Sequence, residues 1–296
     1  MKIIQMGAWV MKRRTKIISI IIALVIIICA VAGVAYYELS GVKPINAKQT
    51  VSISKSNVSD LSNIKMIAHR GLSAIAPENT LAAFKAACDA GYYGVEYDVQ
   101  LSSDGFWVVS HDDNLKRMTG QNIKIAETEL ADLEKITYNN GANIDKYDGI
   151  TIPTLEETLA IVSKYDIVNV IEIKTQTEDK VDELLKMLEE YKVLDKVRII
   201  SFNEEPLKKV KQLNADIPTS YLTHTVDENV IELCKKDGFD AVSFNKSKCD
   251  ENSVKLITDA GLVPQCWTVD EMKDFEIFAG YGLEYFTSNC LLPAEK

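Results

Sequence analysis

GVEYDVQLSSDGFWVVSHDD, residues 94–113, carries two short apolar runs on either side of a turn-forming Ser-Ser-Asp-Gly. This pattern predicts a strand, a turn and a second strand. Glu96 and Asp98 stand two apart, so on a strand both carboxylates point to the same side. Val95, Val99 and Leu101 mark that strand as buried, where two unpaired acids repel each other and lose hydration. A positive charge between them relieves both penalties. His111 closes the second run just before Asp112 and Asp113, where a strand opens into a loop. Carboxylates for a cation, with a titratable imidazole close by, point to metal-assisted acid–base chemistry.

Outward from this hairpin, short apolar runs alternate with amphipathic ones. Strands are expected at residues 64–68, 94–101, 168–173, 197–202, 219–222, 241–244, 263–267 and 285–287. Helices are expected between them, at 80–90, 155–164, 180–191, 204–213, 228–236, 253–260 and 270–278. Eight strands alternating with helices over about 230 residues fit an α/β fold of the (β/α)8 TIM-barrel kind. A doubly wound open sheet shares the alternation, but no GxGxxG follows the first strand. Residues 112–151 break the rhythm and read as a small insertion after the second strand.

The chain has 296 residues, 47% hydrophobic and 26% charged, with a net charge of −10. Lys2, Lys12, Arg13, Arg14 and Lys16 are basic with no acidic counterpart before Tyr36, so the remainder is more acidic still. Such a body is ill suited to gripping nucleic acid. Residues 1–16 form a basic segment, and 17–37 an uncharged run of about 21 residues, long enough to cross a bilayer as a helix. The positive-inside rule then keeps the N-terminus cytoplasmic and puts the rest outside as a single-pass membrane protein. The alternative is secretion after signal cleavage, since Ala30-Val31-Ala32 resembles a cleavage site. Residues 38–63 read as a polar linker and 64–296 as the barrel domain. Six widely spaced cysteines without a CxxC pair signal neither a zinc site nor a disulfide framework.

In a barrel, the C-terminal strand ends converge on one mouth. They carry His69, Arg70, Glu96, Asp98, His111, Glu172, Lys174, Asn203, His224, Asn245 and Trp267. Glu96, Asp98 and Glu172 make a hard-oxygen set for Mg²⁺ or Ca²⁺. Arg70 and Lys174 supply the planar fork and point charge that a bound phosphate wants. His224 reads as a structural or rim residue.

Here a resemblance becomes specific. The segments AHRG (68–71), APENT (76–80), GVEYDVQLSSDG (94–105), VVSHDDNLKRMTG (108–120), IPTLEETL (152–159), IEIK (171–174), the repeated SFN at 201–203 and 243–245, and QCWTVD (265–270) resemble the glycerophosphodiester phosphodiesterase family. The resemblance spans about Ile64 to about Leu291. It implies a metal-dependent hydrolysis of glycerophosphodiesters to sn-glycerol 3-phosphate and an alcohol. His69 and His111 resemble the catalytic pair, one taking and one giving a proton, and Glu96, Asp98 and Glu172 the divalent-metal ligands. Arg70 and Lys174 would hold the phosphoryl oxygens, Trp267 would wall the glycerol pocket, and Glu78 and Asn79 would support the ligands from behind. Thr287-Ser288-Asn289 departs from the family's usual Thr-Asp or Thr-Asn, away from the expected chemistry. Whether water attacks directly or a glycerol hydroxyl attacks first stays open. The competing reading is a phospholipase of C or D type acting on lysolipids, which needs an apolar ramp beside the mouth. The insertion, where a ramp would sit, is polar at Tyr138-Asn139-Asn140-Gly141.

Overall fold

The computed structural model describes residues 41–174 and 179–294. Contacts divide the chain into a unit ending at Pro44 and a second from Ile45 to Lys296, which holds everything described below. In chain order the strands are β1 (Val51–Ser52), β2 (Lys65–Ala68), β3 (Gly94–Leu101), β4 (Trp107–Val109), β5 (Val168–Ile173), β6 (Val197–Ser201), β7 (Thr219–Thr223), β8 (Ala241–Asn245), β9 (Val263–Trp267), β10 (Tyr285–Ser288) and β11 (Leu291–Leu292). Eight of them, β2, β3 and β5 to β10, pair in parallel around a ring that β10 closes on β2. The fold is a (β/α)8 barrel, and the open-sheet alternative is excluded by that closure. All eight expected strands and all seven expected helices are present, with ends shifted by a residue or two.

The hairpin read from residues 94–113 forms as its sequence dictates. β4 pairs antiparallel with the end of β3, Val99 opposite Val109. Gly105 takes the left-handed backbone, φ +86°, that closes the turn. Along β3, Val95, Tyr97 and Val99 face the helical layer, where Tyr97 packs on Phe84 with ring centroids 5.4 Å apart. Glu96, Asp98 and Gln100 alternate to the barrel interior and are buried too. Burial of each large apolar side chain on this strand contributes roughly 1.5–3 kcal/mol, enough to carry polar neighbours that have partners.

Two regions differ from expectation. From Ile45 onward the segment read as a free linker is laid on the barrel: β1 pairs with β11, and Ile53 is buried against the main core. Residues 112–151 form a small subdomain with its own core of Leu115, Met118, Ile125, Leu133 and Tyr138 beside Val108 and Ile152. Tyr138, Asn140 and Gly141 are buried and only Asn139 of this polar-looking run is exposed, so most of it is interior. Among the described residues no helix is long and apolar enough to cross a membrane. The expected span 17–37 and the basic segment before it lie outside the described residues.

Candidate active site

β2, β3 and β5 are neighbours in the ring, so their mouth-end side chains meet. The register sets Asp98 beside Glu172, and Glu96 lies two residues earlier on the same face. Each of Glu96, Asp98 and Glu172 offers an oxygen, and these atoms all lie within 4.8 Å of one another. Burial together with the charges of Asp98 and Glu172 pushes the Glu96 carboxyl well above its ordinary value. Burial and the Asp98 charge push Glu172 up to about 7. Asp98 goes the other way, to about 2, because Arg70 and Lys174 outweigh its burial. Its Oδ2 accepts from Asn79 Nδ2 at 2.7 Å, while its buried Oδ1 makes no hydrogen bond. Crowded acids and an orphaned carboxylate oxygen are what a hard cation would relieve, so the donor set fits Mg²⁺ or Ca²⁺.

The turn after β2 explains the AHRG motif. Arg70 and Gly71 both have left-handed backbones, φ 57° and 75°. A Cβ at Gly71 would stand 2.6 Å from the backbone of Ala83, so only glycine lets the following helix approach. This bend aims Arg70 N–H at Glu96 Oε2, 2.7 Å away. The Arg70 guanidinium meets Glu78 at 2.7 Å and lies 3.7 Å from Asp98. Lys174, on the far side, meets Glu172 at 2.8 Å and lies 3.6 Å from Asp98.

The two imidazoles have different partners. His69 Nδ1 lies 2.9 Å from Asn289 Oδ1. Burial and the neighbouring Arg70 charge lower its pKa to about 4, which keeps the ring neutral at pH 7. His111 Nδ1 lies 2.8 Å from Asp112 Oδ1, and Gln100 steadies the same loop by donating to the Ser110 and Asp112 carbonyls. The Asp112 carboxyl, although burial opposes it, is held below the usual carboxylate range by hydrogen bonds from His111 and Arg117.

His69, Arg70, Glu96, His111, Glu172, Lys174 and Trp267 line one cavity of about 280 Å³. Asp98 is fully buried and does not line it, and Glu78 and Asn79 stand behind Arg70 and Asp98. Asn203 and Asn245 do not line it; Asn245 instead accepts from Ser247 in a local turn. His224 does line it, in a wall with Phe202 and Trp267 whose ring centroids are 5.3–5.7 Å apart. Two further residues escaped the sequence reading. Arg117, from the insertion, holds Glu78 with two hydrogen bonds and Asp112 with a third. Asn289 contacts His69, so the Thr287-Ser288-Asn289 segment lies against the site rather than away from it. Its place in the KRMTG run gave Arg117 a signal; Asn289 fell in the Thr287-Ser288-Asn289 segment, whose departure from the family pattern gave no sign of a contact with His69.

A family model described as the glycerophosphoryl diester phosphodiesterase family matches residues 69–289. A glycerophosphodiester phosphodiesterase of Caldanaerobacter subterraneus is 32% identical over 234 residues, 74% of this chain and 91% of that protein. One from Bacillus subtilis is 30% identical over 249 residues, covering 78% and 85%. The solved structure of an Oleispira antarctica phosphodiesterase in complex with the product sn-glycerol-3-phosphate has a TM-score of 0.71 and 30% identity, covering 76% of this chain and 92% of that one. The class that fold and mouth share with these proteins is a phosphoric diester hydrolase on a (β/α)8 barrel. More narrowly, the chain belongs to the glycerophosphoryl diester phosphodiesterase family and has that family's enzyme activity.

Proposed function

We propose that the chain hydrolyses glycerophosphodiesters to sn-glycerol 3-phosphate and an alcohol, with His69 as base, His111 as acid and a divalent cation held by Glu96, Asp98 and Glu172. The observation that carries this reading is that Glu96, Glu172, two imidazoles and two cationic side chains line one cavity, with buried Asp98 within 4.8 Å of both acids. When bound, the cation neutralises charge on the phosphoryl oxygens and makes phosphorus more electrophilic. Arg70 and Lys174 orient the diester and offset its negative charge, which otherwise repels an attacking oxygen. Neutral His69 accepts the proton of that oxygen. His111, whose Nδ1 lies 2.8 Å from the Asp112 carboxylate, gives a proton to the departing alkoxide, which is a poor leaving group without it. Trp267 and the aromatic wall beside it shape the organic side of the pocket. No large side chain of the insertion is among the exposed hydrophobics of the described residues, which counts against the lysolipid reading.

Glycerol 3-phosphate release from glycerophosphocholine tests the proposal. EDTA is expected to abolish it, and His69→Ala or His111→Ala to lower kcat by about 10²–10⁴-fold. Activity indifferent to chelation and to both substitutions would overturn the mechanism.

The same proposal places the enzyme at a membrane, held by residues 17–37 with its N-terminus cytoplasmic and the barrel outside. Its support is the length of that apolar run and the basic residues before it. The full chain is expected in alkali-washed membranes with its barrel cleaved by external protease; recovery in the soluble fraction contradicts an uncleaved anchor.

A further inference from the structure

The contact between His69 and Asn289 is the inner end of a longer chain of polar contacts. Asn289 Nδ2 donates to Asp270 Oδ2 at 2.9 Å, and its backbone N–H donates to Asp270 Oδ1 at 2.8 Å. Ser288 Oγ lies 3.2 Å from the same Oδ1, and Lys48 Nζ meets Oδ2 at 2.7 Å. Ser73 Oγ stands 2.8 Å from Asn289 Oδ1. The strap that carries Lys48 is itself fixed: Lys48 N–H donates to the Ala74 carbonyl, Ala74 N–H to the Asn289 carbonyl, and Val51 N–H to the Cys290 carbonyl.

These contacts settle which way the Asn289 amide points. An ionised carboxylate only accepts, so the side of Asn289 facing Asp270 is its NH₂, and its oxygen faces His69. His69 Nδ1 must then carry the hydrogen. In a neutral ring this leaves the lone pair on Nε2, the nitrogen a base needs. With no Asp270 to orient it, the amide could turn and present its NH₂ to Nδ1, leaving the proton on Nε2. That tautomer cannot accept a proton from an attacking oxygen at Nε2.

We infer that Asp270, acting through Asn289, is a positioning residue that fixes the tautomer of His69, and that Lys48 of the strap steadies Asp270. The inference rests on His69 being the base. Magnitudes rank the members. Asp270 and Asn289 are half-buried and multiply bonded, and outer partners of this kind typically matter by about 10–100-fold. Lys48 is more than half exposed, so its pair with Asp270 is screened and matters by at most about fivefold.

The test measures kcat and KM on the full chain for Asp270→Asn, Asn289→Ala, Lys48→Met, Lys48→Arg and His69→Ala. It adds ¹⁵N shifts of the three histidines, those of His69 identified by their loss in His69→Ala. Asp270→Asn and Asn289→Ala are expected to lower kcat about 10–100-fold with KM little changed. In both, the His69 ¹⁵N shifts should move away from the pure Nδ1–H pattern. Lys48→Met should cost at most about fivefold, restored by Lys48→Arg. If His69→Ala is inactive while Asp270→Asn keeps the wild-type kcat, the inference falls and the base assignment stands. A lower kcat with the Nδ1–H pattern intact also overturns it, as loosening of the fold alone. If His69→Ala remains active, both fall together.

Discussion

His69 and His111 line one cavity but are held differently, and that difference suits them to the separate roles proposed for them. An amide oxygen stands at Nδ1 of His69, a carboxylate at Nδ1 of His111. Burial and Arg70 bring His69 to about 4 from an ordinary 6.5. A base must be neutral, so its contribution is lost where falling pH protonates it; a bound cation nearby would push that point no higher. With saturating cation, which holds Glu96 and Glu172 ionised, the limb of kcat/KM that His69 sets is expected near pH 4, and a limb at 6.5 that disappears in His69→Ala would contradict the assignment. At this scale the sequence was most informative where chemistry is dense in a short segment. Glu96 and Asp98, two apart on a buried strand, could be read without a structure. Asn289 could not, because it meets His69 across 220 positions and asparagine after a strand is ordinary loop chemistry. Phe202 escaped for a related reason, since the wall it forms with His224 and Trp267 exists only once the ring brings the ends of β6, β7 and β9 around one mouth.

Among the elements, the insertion does more than lengthen a loop. Its short helix Lys116–Thr119 delivers Arg117 between Glu78 and Asp112, so one guanidinium braces the partner of Arg70 and the partner of His111. Glu78 is nearly enclosed, and although burial opposes it, Arg117 and Arg70 draw it from 4.5 to about 2. A carboxyl whose folded value lies below its unfolded one stabilises the fold above the unfolded value and loses that contribution as pH falls toward the folded one. Between about pH 4.5 and 2 this amounts to roughly 3 kcal/mol. Glu78→Gln is expected to destabilise the protein at pH 7 by a similar amount and to flatten the dependence of stability on pH in that window. Denaturant unfolding from pH 7 to 2.5 measures it, and curves that stay parallel for the two proteins would refute the role. Element types were legible because the apolar periods were clean and the starts were marked: Thr80 caps one helix, and Thr154 with Glu157 forms a capping box on another. The interior of the insertion was not, because burial of Tyr138 and Asn140 depends on partners far from a local pattern.

On the scale of the whole molecule, ring closure turns strand ends spread over some two hundred residues into one mouth. Alternation of strands and helices predicted the barrel, and the order of the motifs predicted which ends carry charge. Composition misled at the N-terminal edge. A polar segment reads as a tether, yet β1 and Ile53 tie it to the barrel through a short ladder and one buried side chain. A domain cut at Ser59 would lose both, together with Lys48. The central claim is that the folded chain assembles a cation site from Glu96, Asp98 and Glu172 before any substrate arrives. Calorimetric titration of Mg²⁺ or Ca²⁺ into chelator-treated protein, wild type against Asp98→Asn, addresses it without reference to turnover. One saturable site per chain, weakened at least about tenfold in the variant, is the expected result; no saturable binding in the wild type, or equal binding in both proteins, would contradict the account.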